Sequence, residues 1–319
     1  MSSMRRLAFL FPLLVGSAAI AQLTQGGPQA PAASNASAAA YDINYALADW
    51  RRLRSAEGYR FADYARFIIA NPGWPEETKL RRWAEKAMVP GEHPATVIAF
   101  FASEAPKTGN GRARLAEAYA ATGRTAEAAA AAREAWASAD LPLADESRIG
   151  GRFWNSLTAA DHDRRVDALL FAKKPADASR ALAYASPERR AAFSARIAMQ
   201  TSAANADALY RAVEGQVASD AGLLMDRLRF FKDTYGNVAG ARWLAARPHN
   251  FTHRPADVER FYEMLVSLAR SAWDARNFAQ VHDIARQTDD ALPSGAPLSL
   301  QPYGVRDEYT TLTWMAGEA

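Results

Sequence analysis

From Tyr41 to the end of the chain, apolar residues recur at spacings of three and four, broken by short polar stretches, with little strand-like alternation. That is the period of an α-helix burying one face. Ile43, Leu47, Trp50 and Leu53 share one side of a first helix, and Phe61, Tyr64, Phe67 and Ile68 mark a second. Asn71-Pro72-Gly73 then breaks the chain. A third helix is expected with Pro75 in its first turn and Glu76 and Glu77 near its positive end. It carries Leu80, Trp83 and Met88 and stops at Pro90-Gly91. The same pattern predicts helices at 94–103, 111–122, 125–138, 145–157, 160–172, 175–185, 187–200, 205–216, 219–233, 237–246, 255–276 and 277–288. Many short helices, tight turns and no strands describe an all-α chain, a solenoid of stacked hairpins and not a closed bundle.

One hairpin carries most of this expectation. Leu115, Ala118, Tyr119, Gly123, Glu127, Ala128, Arg133 and Ala135-Trp136 resemble part of a tetratricopeptide (TPR) hairpin. The alanines allow close helix contact, and Gly123 permits the tight turn. The rest of the chain keeps no 34-residue period, so the expected fold is a TPR-like, degenerate α/α superhelix.

The first residues read differently. Arg5 and Arg6 precede the apolar run Leu7–Ile20, and Ala19-Ile20-Ala21 is a small-x-small cleavage pattern. Residues 1–21 are therefore expected to be an export signal, with Gln22 the mature N-terminus. The run is about 14 residues, short of the roughly 20 that span a bilayer, so a cleaved signal is preferred to a transmembrane anchor. Residues 22–40, rich in Gly, Pro, Ala and Ser, are expected to be a flexible linker, and 41–319 the helical domain. Removing Arg5 and Arg6 takes the formal charge from +3 to +1. That near balance argues against a dedicated nucleic-acid binder. The chain has no cysteine, which excludes disulfides, thiolate metal sites and cysteine nucleophiles together.

Few residues offer chemistry. Asp161-His162-Asp163 looks like a metal cluster, but adjacent positions on a helix diverge by about 100°, so Asp161 is read as the N-cap of a helix carrying Val166, Leu169 and Leu170. His249 and His253 are four apart, yet Pro248, Asn250 and Pro255 place them in a loop. Glu146-Ser147 suggests a catalytic acid of the lysozyme-like type, but no Gly-Leu-Met-Gln follows, and Gly222-Leu223-Leu224-Met225-Asp226 only looks similar. Glu146 is placed in the first turn of a packing helix. Trp74, Trp83, Trp154, Trp243 and Trp273 are expected in the core, and the pairs Arg81-Arg82 and Arg164-Arg165 on solvated faces. No catalytic, cofactor-binding or metal-binding residue is assigned.

Four segments, in order, resemble the superhelical region of soluble lytic murein transglycosylases in their α-proteobacterial form. They are Phe67–Pro75 with Leu80–Lys86; Phe100-Phe101 with Pro106–Arg112 and the hairpin to Trp136; Glu146 through Leu170; and Phe261–Leu265 through Asp283–Gln287 to Arg306–Gly317. The resemblance covers most of 41–319. It implies a ring- or horseshoe-like all-α superhelix in the periplasm, with peptidoglycan glycan strands as partners, cell-wall enzymes as further candidate partners, and no cofactor. It also implies cleavage of the MurNAc–GlcNAc β-1,4 bond by a separate C-terminal lysozyme-like domain, with release of a 1,6-anhydro end. No such domain is found before Ala319, where the chain is expected to stop a few residues into a further helix. The expected function is thus the non-catalytic superhelical portion of such an enzyme, inactive alone. The alternative is a free-standing periplasmic TPR-like scaffold that binds peptidoglycan or partner proteins. A regulator unrelated to the cell wall is the third possibility.

Overall fold

A computed structural model describes residues 33–319. The described chain is all-α: sixteen α-helices and short helical turns, with a single isolated bridge between Asp220 and His253 in place of any strand. The expected export signal and its cleavage site lie outside the described residues. The first helix, α1 (Ala33–Ser55), begins inside the segment expected to be linker, because its alanines favour helix. Asp49–Ala319 forms one compact unit, to which the rest of this description is confined.

In that unit follow α2 (Phe61–Ala70), α3 (Glu77–Ala87), α4 (Pro94–Phe101), α5 (Gly109–Ala121), α6 (Thr125–Trp136), α7 (Leu143–Phe153) and α8 (Ala159–Phe171). Then come α9 (Pro175–Ala181), α10 (Pro187–Gln200), α11 (Ala206–Arg211), α12 (Ala221–Arg229), α13 (Val238–Ala245), α14 (Val258–Asp274), α15 (Phe278–Ala285) and α16 (Tyr303–Glu318). Each helix packs chiefly on those one or two places away along the chain. The exception lies at the end of α8, where Phe171 joins the core built by α12 to α16 and its carbonyl accepts from Arg260 of α14.

Helix starts follow local chemistry. Thr108, Asp220, Asn237, Asp257 and Asn277 each accept a backbone N–H from the first turn, and Pro94, Pro175 and Pro187 open helices where no N–H is needed. Two expected starts are corrected. Pro75 precedes α3, because Glu77 turns back to accept from Gly73 N at 2.6 Å and holds the chain in a turn. Asp161 is not the N-cap of α8: Thr158 is, and Asp161 is its reciprocal partner in a capping box.

One turn recurs four times. After α5, α8, α10 and α14 the N–H of residues 124, 174, 203 and 277 reaches the carbonyl five positions back, at 2.9 Å in each case. This Schellman geometry puts Gly123, Lys173, Ser202 and Arg276 in the left-handed region, with φ between 51° and 74°. Only Gly123 adopts that conformation freely, so the hairpin recognisable in the sequence is the one that kept its glycine.

The core is crossed by buried charge. Arg196 on α10 is fully buried; its Nε donates to Asp226 Oδ2 at 2.7 Å and its Nη1 to Asp167 on α8. Asp226 Oδ1 also accepts from Gln200 and Arg229, so α8, α10 and α12 are joined through one network. Gly222 makes room for the Arg196 guanidinium. The Gly-Leu-Leu-Met-Asp segment thus has a packing role.

The last helix is longer than expected. Pro302 opens α16, and Val305, Leu312 and Met315 bury against α14 and α15. Its first turn is approached by the Glu259 carboxylate, which a β-carbon at Gly304 would displace. Among the described residues, no helix is long and apolar enough to cross a membrane.

Candidate functional site

The residues singled out for chemistry gather mostly in one place, around the joins of α6, α7 and α8. α6 ends on Trp136, whose ring is buried. α7 carries Glu146 in its first turn and runs into a tight helical turn, Trp154–Ser156. The Thr158 capping box then starts α8 and sets His162 one turn in, while the turn 182–184 after α9 brings up Tyr184.

His162 is the hub of three aromatic rings. Its centroid lies 5.0 Å from Trp154, 5.6 Å from Trp136 and 5.6 Å from Tyr184. Trp154 and Tyr184 meet edge to face at 4.9 Å and 79°. Trp136 Nε1 donates to His162 Nδ1 at 3.2 Å, so the imidazole proton sits on Nε2. Burial lowers the His162 pKa, against the pull of Asp161 and Asp163, which keeps the ring neutral near pH 7. Beneath it, Arg165 lies over the Trp136 ring at 4.7 Å, donates to Trp136 O at 2.8 Å, and stands 2.6 Å from Glu146 Oε2. Arg133 fastens the outer turn by donating to Ser156 O at 2.9 Å.

The triplet Asp161-His162-Asp163 does three separate jobs. Asp161 completes the Thr158 capping box of α8, His162 packs among the aromatics, and Asp163 holds Ser186, the residue that precedes α10, by accepting from its N and Oγ at 2.8 and 2.7 Å. Among the described residues, no group of three or more His, Asp or Glu is placed to hold a metal ion. His249 and His253 do lie in a loop: His249 stacks on Phe251 at 4.2 Å, and the His253 backbone pairs with Ser219 and Ala221. Glu146 sits in the first turn of α7, where it offsets the buried Arg165 charge.

Two expectations are corrected. Trp154 and Trp243 are not core residues; they are 42% and 60% exposed, because each sits at or beyond the polar edge of its helix. The arginine pairs split: Arg81 and Arg165 are buried and donate to the carbonyls of Phe100 and Trp136, while Arg82 and Arg164 face solvent. Adjacent positions cannot share a helix face.

Tyr184, half exposed, was not legible as a site residue. The residues place it in a helix over 175–185, whereas α9 ends at Ala181 and Tyr184 falls in the turn that follows.

The product of this arrangement is a ledge of two half-exposed aromatic rings set nearly at right angles, packed from behind by His162 and, under Trp154, by Trp136. Such faces receive the C–H side of a flat, polar ligand while its hydroxyls stay in water. Comparison of the chain with protein-family models, with curated proteins and with solved structures finds no match.

Proposed function

We propose that this chain is the non-catalytic superhelical portion of a periplasmic lytic transglycosylase, which holds peptidoglycan glycan strands while a lysozyme-like domain cleaves the MurNAc–GlcNAc bond. The observation that carries the reading is the aromatic ledge of Trp154 and Tyr184. Pyranose rings present one face of axial C–H groups, and a braced indole beside a tyrosine is suited to that face. The four resembling segments support the same reading, and the third of them, Glu146 through Leu170, runs through the ledge. The pairing of Glu146 with Arg165 supports a structural role for the glutamate, as a holding portion requires.

The test is sedimentation with purified sacculi. The chain is expected to co-sediment and to release no 1,6-anhydro-muropeptides. Trp154→Ala with Tyr184→Ala should leave the protein folded and in the supernatant. Undiminished binding by that variant would remove the ledge from the reading. Release of anhydro products, lost on Glu146→Gln, would make Glu146 the catalytic acid and overturn it. Capture of cell-wall proteins without binding to sacculi would favour the free-standing scaffold.

A further inference from the structure

Three cations from distant parts of the chain converge on one groove. Arg112 lies in the first turn of α5, Lys174 in the turn after α8, and Arg260 in the first turn of α14. They line a cavity of about 470 Å³ with the segment after α6 and the last turn of α8.

Each cation is already pinned. Arg112 Nη1 donates to Ser138 Oγ at 2.5 Å, Lys174 Nζ to Ala139 O at 2.7 Å, and Arg260 Nη1 to Phe171 O at 3.0 Å. One bond each leaves donors unspent, since a guanidinium carries five and an ammonium three. Neither acid in the wall is paired with Arg112 or Lys174. Asp140 accepts from Gly109 N at 3.0 and 3.1 Å, and Asp257 caps α14 through Arg260 N. Asp257 also stands 3.3 Å from Arg260 Nε, while Arg112 and Lys174 have no carboxylate partner among the described residues.

We propose that this groove binds an oxyanion, a carboxylate or phosphate group of a small or polymeric ligand, through the spare donors of Arg112, Lys174 and Arg260. Side chains fixed in advance lose little freedom on binding, and guanidinium and ammonium donors make the stronger, charge-assisted bonds to such groups. Because the three cations belong to α5, the α8–α9 turn and α14, an occupant also ties these elements together. Binding therefore stabilises the fold by mass action. The site is separate from the aromatic ledge, as neither Trp154 nor Tyr184 lines it, so it stands or falls apart from the glycan reading.

The experiment is calorimetric titration of the purified chain in low-salt buffer with inorganic phosphate and, separately, with succinate. Saturable binding of at least one probe is expected, weakened about tenfold by Lys174→Met and further by Arg260→Gln, as loss of one charge-assisted bond predicts. Arg82→Gln, an exposed arginine elsewhere, should leave it unchanged. Preference for phosphate would point to a phosphorylated ligand, and preference for succinate to an acidic peptide or sugar acid. Lys174 is exposed, so its variant keeps the fold; urea midpoints of all variants check this. Binding of neither probe, binding undiminished in the Lys174→Met variant, or equal loss in Arg82→Gln would overturn the site.

Discussion

Gly222 of α12 stands directly against the guanidinium of Arg196 on α10, with no room between them for a β-carbon. The arginine needs that space because it is wholly buried and must reach Asp226 and Asp167 at once. A methyl group there displaces the guanidinium from both acids and leaves Arg196 and Asp167 without partners, while Asp226 keeps Gln200 and Arg229. Gly222→Ala is therefore expected to cost about 3 kcal/mol or more in urea unfolding, although alanine is the better helix former. A stabilised Gly222→Ala variant would refute this account of α12.

The turn after α14 offers the opposite change. Arg276 is held at φ 54°, where a β-carbon is strained and glycine is not. Arg276→Gly should raise stability by up to about 1 kcal/mol, read as a higher urea midpoint with an unchanged slope. The same substitution at Gln280, inside α15, should lower the midpoint by a similar amount.

Glu146 is expected to matter for stability. Arg165 is almost fully buried and takes its counter-charge from Glu146 at 2.6 Å. Glu146→Gln leaves that arginine with a neutral partner and should cost about 2 kcal/mol, less than a wholly buried pair because the glutamate is partly exposed. Unfolding followed by tryptophan fluorescence measures it, since Trp136 lies against Arg165.

His249 makes stability depend on pH. Burial, opposed by Asp290 at 3.1 Å, brings its pKa down to about 4. The unfolded chain, with a histidine pKa near 6.5, binds the proton first. Stability from this group is thus present above about pH 6.5 and is lost as pH falls toward 4. Between pH 6.5 and 5 the loss is about 2 kcal/mol, a window in which most carboxylates have not yet titrated. His249→Gln should flatten urea midpoints over that window. An unchanged slope in the variant would assign the pH dependence elsewhere.

The Asp161-His162-Asp163 triplet illustrates how far the residues alone could be read. That neighbours on a helix diverge is enough to expect the three side chains to part, and in α8 they take three separate tasks. The same rule, applied to Arg164-Arg165 and Arg81-Arg82, would have predicted one buried and one exposed member of each pair. Residue type alone puts both members of each pair in solvent, because it ignores the roughly 100° between neighbours on a helix. Trp154 failed for a related reason: a tryptophan at helical spacing suggests core, yet it falls in the short turn beyond α7, where the ring leaves the packed face.

Local pattern by itself determined the all-α class and most helix positions, because the three-four spacing, the capping residues and the prolines at helix starts act within a few residues. It determined the loop of His249 and the first-turn place of Glu146 on the same grounds. The aromatic ledge, the Arg112–Lys174–Arg260 groove and the burial of Arg196 were decided only by tertiary structure. Tyr184 meets Trp154, and Arg260 meets Phe171, across long stretches of chain whose mutual packing no local signal encodes. Burial of a charge is likewise legible only once its partners on other helices are in place, since it is those partners that offset its loss of water.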